Sequence, residues 1–230
     1  MKQRVIAITL ALGFVVVAHA QSTDPSKWSL QEWDKKKVFS VHPTGLLSRN
    51  TQPFYFDFPT GTNPQTCCST ASAGVDYFTT PFSSDLTGAT ELVFTFQTQT
   101  TGNSIFGANL QPDNQYSNCY APSGYPAIVT PILVRTGSWS DQFSRWWARD
   151  YRVAIQPNGT FQVVVPMEPA KWMSVFGVFG DQNLAAFQDA LRNMAAVGVT
   201  FGGGCYLSHG VNVQSGTGTA RFILVNYSLR

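Results

Sequence analysis

The chain has 230 residues, of which 12% are charged and 13% aromatic, and a formal net charge of +2. Charged residues stand at about half their usual share in soluble domains, so Thr, Ser, Gln and Asn must supply surface solubility instead. The small positive balance contains no basic stripe of the kind nucleic acids require. No apolar run is long enough for a helix that crosses ~30 Å of hydrocarbon.

Residues 1–20 have the layout of a secretory signal peptide. Lys2 and Arg4 precede an apolar run over 5–17, and Ala18-His19-Ala20 offers a small-x-small cleavage site. The expectation is a secreted protein, extracellular or periplasmic, with no membrane span. Cleavage removes Lys2 and Arg4 and leaves 13 basic against 13 acidic residues, a formal charge of zero. Polyanionic partners thereby lose their support. Lys35-Lys36-Lys37 is the one basic run, and it reads as a solvated stretch. After a polar lead-in over 21–50, residues 51–230 are expected to form a single β-sandwich domain.

Within 51–73, which is rich in Thr, Pro, Gly and Ser, Phe54-Tyr55-Phe56-Asp57-Phe58 has strand-like alternation. Residues 75–78 and 91–98 read as strands of β-branched and aromatic residues. Residues 102–125 read as a long loop, and 127–135 as another strand. Residues 149–155 and 161–165 are expected to pair as a hairpin about Gln156-Pro157-Asn158-Gly159. One short amphipathic helix is predicted near 182–196. Asp181 is its expected N-cap, Leu184, Phe187, Leu191 and Met194 its apolar stripe, and Gly198 its stop. Residues 197–201 and 219–229 then read as strands. The last is apolar at both parities, which predicts a central position with both faces buried. Many strands and one helix make a mostly β fold, an antiparallel sandwich.

Tyr77 to Phe96 runs YFTTPFSSDLTGATELVFTF, and VPMEPAKW, FQDALRNMAAVGVTF and ARFILVNYSL follow later in the chain. This order resembles the galactose-binding-like jelly rolls, in particular the laminin B-type (domain IV) sandwich, over residues 75–229. The resemblance implies a jelly roll and an adhesive or glycan-binding habit without catalysis. The chain departs from that pattern at Gly202-Gly203-Gly204-Cys205 and at the His209-Gly210 loop.

Cys67, Cys68, Cys119 and Cys205 are an even set in a secreted chain, which predicts disulfides. Adjacent cysteines seldom satisfy disulfide geometry. One of Cys67 and Cys68 is therefore expected to meet Cys119 and the other Cys205, in either pairing.

Trp139, Phe143, Trp146, Trp147 and Tyr151 form the densest aromatic cluster. Strand alternation over 146–155 predicts Trp147, Tyr151, Val153 and Ile155 on a core face, and Trp146, Asp150 and Arg152 on the other. An aromatic face suits the C–H side of a pyranose. Arg supplies a fixed fork of donors and Asp supplies acceptors for the hydroxyls. Trp139, in a Gly-Ser-Trp-Ser loop, is the candidate platform. Trp139, Trp146, Asp150 and Arg152 are thus the candidate ligand-binding residues.

Other chemistry finds less support. Gly202-Gly203-Gly204 lacks the Lys-Ser/Thr of a phosphate loop. Cys205 and His209, four apart, do not make a zinc ligand set, and no Gly-x-Ser-x-Gly elbow is present. Glu32, Glu91 and Glu168 mark no carboxylate pair. No cofactor is expected, although a structural calcium on carbonyl groups and one acid, Asp57 or Asp76, is compatible with the sequence. The expectation is a secreted non-catalytic module that binds a glycan or an extracellular protein. A carbohydrate-active hydrolase or lyase on the same sandwich, or a structural envelope protein, is the alternative.

Overall fold

Period-two alternation of large apolar and small polar residues governs the long strands. In the stretch ELVFTFQTQT, Leu92, Phe94, Phe96 and Thr98 are buried, while Thr95, Gln97 and Gln99 face outward. The computed structural model describes residues 19–20, 24–32, 38–39, 54–59, 74–108, 127–203, 207, 210–214 and 218–230. The first half of the chain forms β1 (His19–Ala20), β2 (Ser29–Glu32), β3 (Val38–Phe39), β4 (Phe54–Asp57), β5 (Val75–Pro81), β6 (Glu91–Thr100), β7 (Ile105–Ala108) and β8 (Ala127–Arg135). Then come β9 (Arg145–Trp147), β10 (Val153–Ala154), β11 (Gly159–Pro166), β12 (Met173–Ser174) and the helix α1 (Leu184–Arg192). β13 (Met194–Gly203), β14 (Val211–Gln214) and β15 (Ala220–Leu229) complete the described strands.

The strands make two antiparallel sheets. The smaller runs β1-β15-β6-β11, with β4 also on β15. The larger runs β12-β9-β8-β13-β5-β14-β7, with β10 on β8 and the β2–β3 pair on β5. The fold is an antiparallel β-sandwich, with one α-helix among the described residues, as the strand pattern predicts. Trp28, 2% exposed, enters the core just ahead of β2.

Aromatic rings fill the space between the sheets. Phe222 of β15 stacks on Phe96 of β6 at 5.1 Å and meets Phe201 of β13 edge-on at 5.2 Å. Phe56 of β4 stacks on the same ring at 5.3 Å. Edge-to-face pairs of this kind add about 0.5–1.5 kcal/mol each beyond area burial. Tyr227 of β15 is buried, and its hydroxyl donates to the Gly198 carbonyl of the opposite sheet at 3.0 Å. Burial pushes its pKa far up, so the hydroxyl stays a donor.

Several expectations change. Residues 149–155 and 161–165 do not pair with each other. β10 joins β8 in the larger sheet, and β11 joins β6 in the smaller one through eight registered pairs. The 156–158 turn is therefore a crossover between sheets, anchored where Asn158 accepts from the Thr100 amide at 3.0 Å. Within the expected loop 102–125, β7 pairs with β14.

The helix is shorter than predicted. Asn183, not Asp181, is its N-cap, accepting from the Ala186 amide at 3.2 Å. Met194 already belongs to β13, and Gly198 lies in the middle of that strand instead of stopping the helix. β15 is central to its sheet, but only its inward face is buried. His19–Ala20, the expected cleavage site, pairs with Leu229 and Ser228 of β15. Among the described residues, no helix is long and apolar enough to cross a membrane. The cysteines Cys67, Cys68, Cys119 and Cys205, together with Lys35–Lys37, His42 and His209, lie outside the described residues.

Candidate functional site

The site begins where β8 turns back into β9. Residues 136–144 form the connecting loop, which closes through the Arg135 amide to the Ser144 carbonyl at 2.8 Å. Gly137 takes a positive φ of 128° there, a conformation side chains disfavour. Inside the loop, Asp141 accepts from the Phe143 amide at 2.8 Å. Arg135, at the end of β8, binds Asp141 of the loop with one nitrogen and Asp189 of α1 with another. This fork ties the loop to the helix.

Beneath the loop lies Trp146. Its indole N–H donates to the Phe143 carbonyl at 3.0 Å. Its ring stacks on Phe143 at 5.8 Å and meets Phe187 of α1 edge-on at 5.1 Å. Trp146 is 0% exposed.

Above the loop lies Trp139, 47% exposed. The Arg145 guanidinium sits 4.4 Å from its ring centroid and 5.5 Å from that of Trp147. The same guanidinium donates to the Trp139 carbonyl and to the Tyr77 hydroxyl, both at 3.2 Å. Tyr77 meets Trp139 edge-on at 5.3 Å. Cation–π contacts of this type are worth about 0.5–2 kcal/mol, more as they lose water. Trp147 in turn donates to Thr200 Oγ1 at 3.1 Å. Tyr77, Trp147, Ile128, Ile132 and Val134 form a second apolar cluster on the outward side of the larger sheet. This cluster is the floor on which Trp139 and Arg145 rest.

Asp76 lies next to Tyr77 and is fully buried, and among the described residues neither of its carboxylate oxygens has a hydrogen-bond partner. Pairing between β5 and β2 slips at this point, since Tyr77 faces Gln31 while Val75 faces Glu32. The bulge re-aims the side chains on either side of it. Burial raises the Asp76 pKa well above the carboxylate range, against the pull of Arg145. Of the two acids considered for calcium, Asp57 gives both its oxygens to Arg221, at 2.7 and 3.0 Å. Among the described residues, no three His, Cys, Asp or Glu side chains gather as metal ligands.

Of the four predicted ligand-binding residues, Trp146 is fully buried and the other three are exposed. Trp139 is exposed on a built support. Trp146 points between the sheets and Trp147 outward, the reverse of the expected parity. The physical reason is that β9 holds only three residues. Ala148 and the 3-10 turn Arg149–Tyr151 then break the alternation that the expectation carried through to Ile155. Asp150 and Arg152 are exposed, but they follow the far end of β9 from the Trp139 loop. Sequence reading missed Tyr77 and Arg145 as the support of Trp139. Tyr77 lies 68 positions from Arg145 and no local pattern links them.

The arrangement offers one exposed, immobilised indole. Its nearby cation is already committed to neighbours, and its nearby acid is sealed from solvent. Comparison with protein-family models and with curated proteins finds no match to this chain.

Proposed function

We propose that this chain is a secreted, non-catalytic β-sandwich module that binds a neutral glycan through Trp139. The observation that carries the reading is the exposed Trp139 ring, held by Arg145 on one side and Tyr77 at its edge. A ring already fixed by its neighbours loses little freedom on binding, so stacking energy is retained as affinity. A sugar presents a weakly apolar C–H face to such a ring and hydroxyls around it. The uncharged ligand class follows from the formal neutrality of the chain after 1–20 and from the commitment of Arg145 to Tyr77 and the Trp139 carbonyl. The signal-peptide layout supports the extracellular or periplasmic address.

Affinity electrophoresis through gels carrying soluble neutral polysaccharides tests the reading. The expected result is retardation by at least one β-glucan, mannan or xylan, weakened in Trp139→Ala while the circular dichroism spectrum stays unchanged. Unretarded migration of the wild-type protein in every gel overturns it.

A further inference from the structure

The outward side of the smaller sheet carries a different set of groups. Register places Thr160, Gln97, Ile223 and Tyr55 in one row across β11, β6, β15 and β4. Gln162, Thr95 and Asn226 make the next row, and Gln99, Arg221 and Asp57 a third. Gln162 donates to Thr95 at 3.3 Å. The Arg221 guanidinium lies 3.7 Å from the Tyr55 ring centroid and forms a two-point pair with Asp57. The hydrogen bond to Asp57 raises the Arg221 pKa further. At the end of the same sheet, Glu91 pairs with Arg230 at 3.2 Å.

These four charges cancel in pairs, and the polar groups between them are amides and hydroxyls. Each amide offers two donors and one acceptor, and each hydroxyl can do both. Such a field matches an uncharged polyhydroxylated chain, whose hydroxyls also donate and accept. A polyanion needs surplus cations, and a stable protein partner needs an apolar centre. Among the described residues on this side, Val164 and Val93 pair in one row, and the Gln162–Thr95–Asn226 row separates them from Ile223, so the apolar side chains do not run on as one seam. The two sheets pack face to face, so this side and the Trp139 side point in opposite directions.

We infer that the outward side of the smaller sheet is a second binding surface for neutral polysaccharide, so that one chain carries two sites and cross-links its ligand. The cross-linking rests on the Trp139 reading, while the second surface stands on its own groups.

Gln97→Ala/Gln162→Ala and Trp139→Ala, singly and combined, separate the two. The probe is a soluble galactomannan or β-glucan that retards the wild-type protein. Light scattering of that polysaccharide is expected to rise on adding wild-type protein, as bivalent bridging requires. Each variant is expected to keep binding in affinity electrophoresis but to lose the rise in scattering, with Gln97→Ala/Gln162→Ala weakened about tenfold for its two lost amides. The combined variant is expected to lose both. If Gln97→Ala/Gln162→Ala binds and scatters like wild type, or Trp139→Ala alone abolishes all binding, the second surface is overturned and the Trp139 reading stands. If Trp139→Ala binds and scatters like wild type while Gln97→Ala/Gln162→Ala does not bind, the Trp139 reading and the cross-linking fail and the second surface stands.

Discussion

Arg145 lies over the ring of Trp139, 4.4 Å from its centroid, and donates to the carbonyl of the same residue. One side chain thus holds both the ring and the backbone of the proposed platform. Arg145→Met keeps the length of the stem and removes the cation and its donors. The expected outcome is a Trp139 ring that acrylamide quenches more readily, and a glycan affinity reduced several-fold. The cation–π contact alone accounts for about 0.5–2 kcal/mol. Unchanged quenching and affinity would mean that the ring is held by Tyr77 alone.

Trp139 and Trp146 are seven residues apart in one short segment but play opposite parts. Trp146→Ala opens a cavity between Phe143 and Phe187 and is expected to cost about 3–5 kcal/mol in urea unfolding. Trp139→Ala removes a half-exposed ring and is expected to cost under about 1 kcal/mol. Equal losses of stability in the two variants would contradict their placement.

Arg135 bridges the Trp139 loop and α1 through Asp141 and Asp189. Its side chain is largely buried, whereas both carboxylates are more than one-third exposed, so solvent discounts the pair. Arg135→Met is expected to cost about 1–2 kcal/mol. Amide hydrogen exchange should quicken in 136–144 before it does in β6 or β15. Uniform acceleration across the sandwich would show that the bridge acts on global stability alone.

Gly198 sits where β13 passes close to β5. An added Cβ would strike the Phe78 carbonyl oxygen and lie 2.7 Å from Thr79 Cα. Backbone cannot swing aside as a flexible side-chain tip can. Gly198→Ala is therefore expected to lower stability by about 1–3 kcal/mol. Gly88→Ala is the control, since nothing lies within 4 Å of its Cβ position. A denaturant midpoint for Gly198→Ala equal to that of Gly88→Ala would refute the close approach.

The Asp76 carboxyl binds its proton more tightly in the folded chain than in the unfolded one, because burial raises its pKa. The stability this proton contributes is complete below the unfolded value of ~3.9. It is lost as pH rises from there through the raised folded value. The slope is at most about 1.4 kcal/mol per pH unit. Urea unfolding of wild type and Asp76→Asn between about pH 4 and 7 should show this decline in the first and its absence in the second. Parallel pH profiles would place the effect elsewhere.

Sequence alone carried the strand content and the short helix. These follow from period-two and helical patterning, which acts within ten residues. It also picked out Trp139, because a Trp between Ser residues in a loop has little to bury it. The tertiary structure decided the rest. The 156–158 turn could close a hairpin or cross between sheets, and only the free edge of β6 settled which. Whether Trp146 or Trp147 faces the core depended on where β9 ends. The support of Trp139 joins Tyr77 to Arg145, and the outward cluster on the smaller sheet joins Tyr55 and Asp57 to Arg221, 164 positions on from Asp57. Such contacts arise when sheets stack distant segments at strand spacing, and no local pattern in the sequence encodes them.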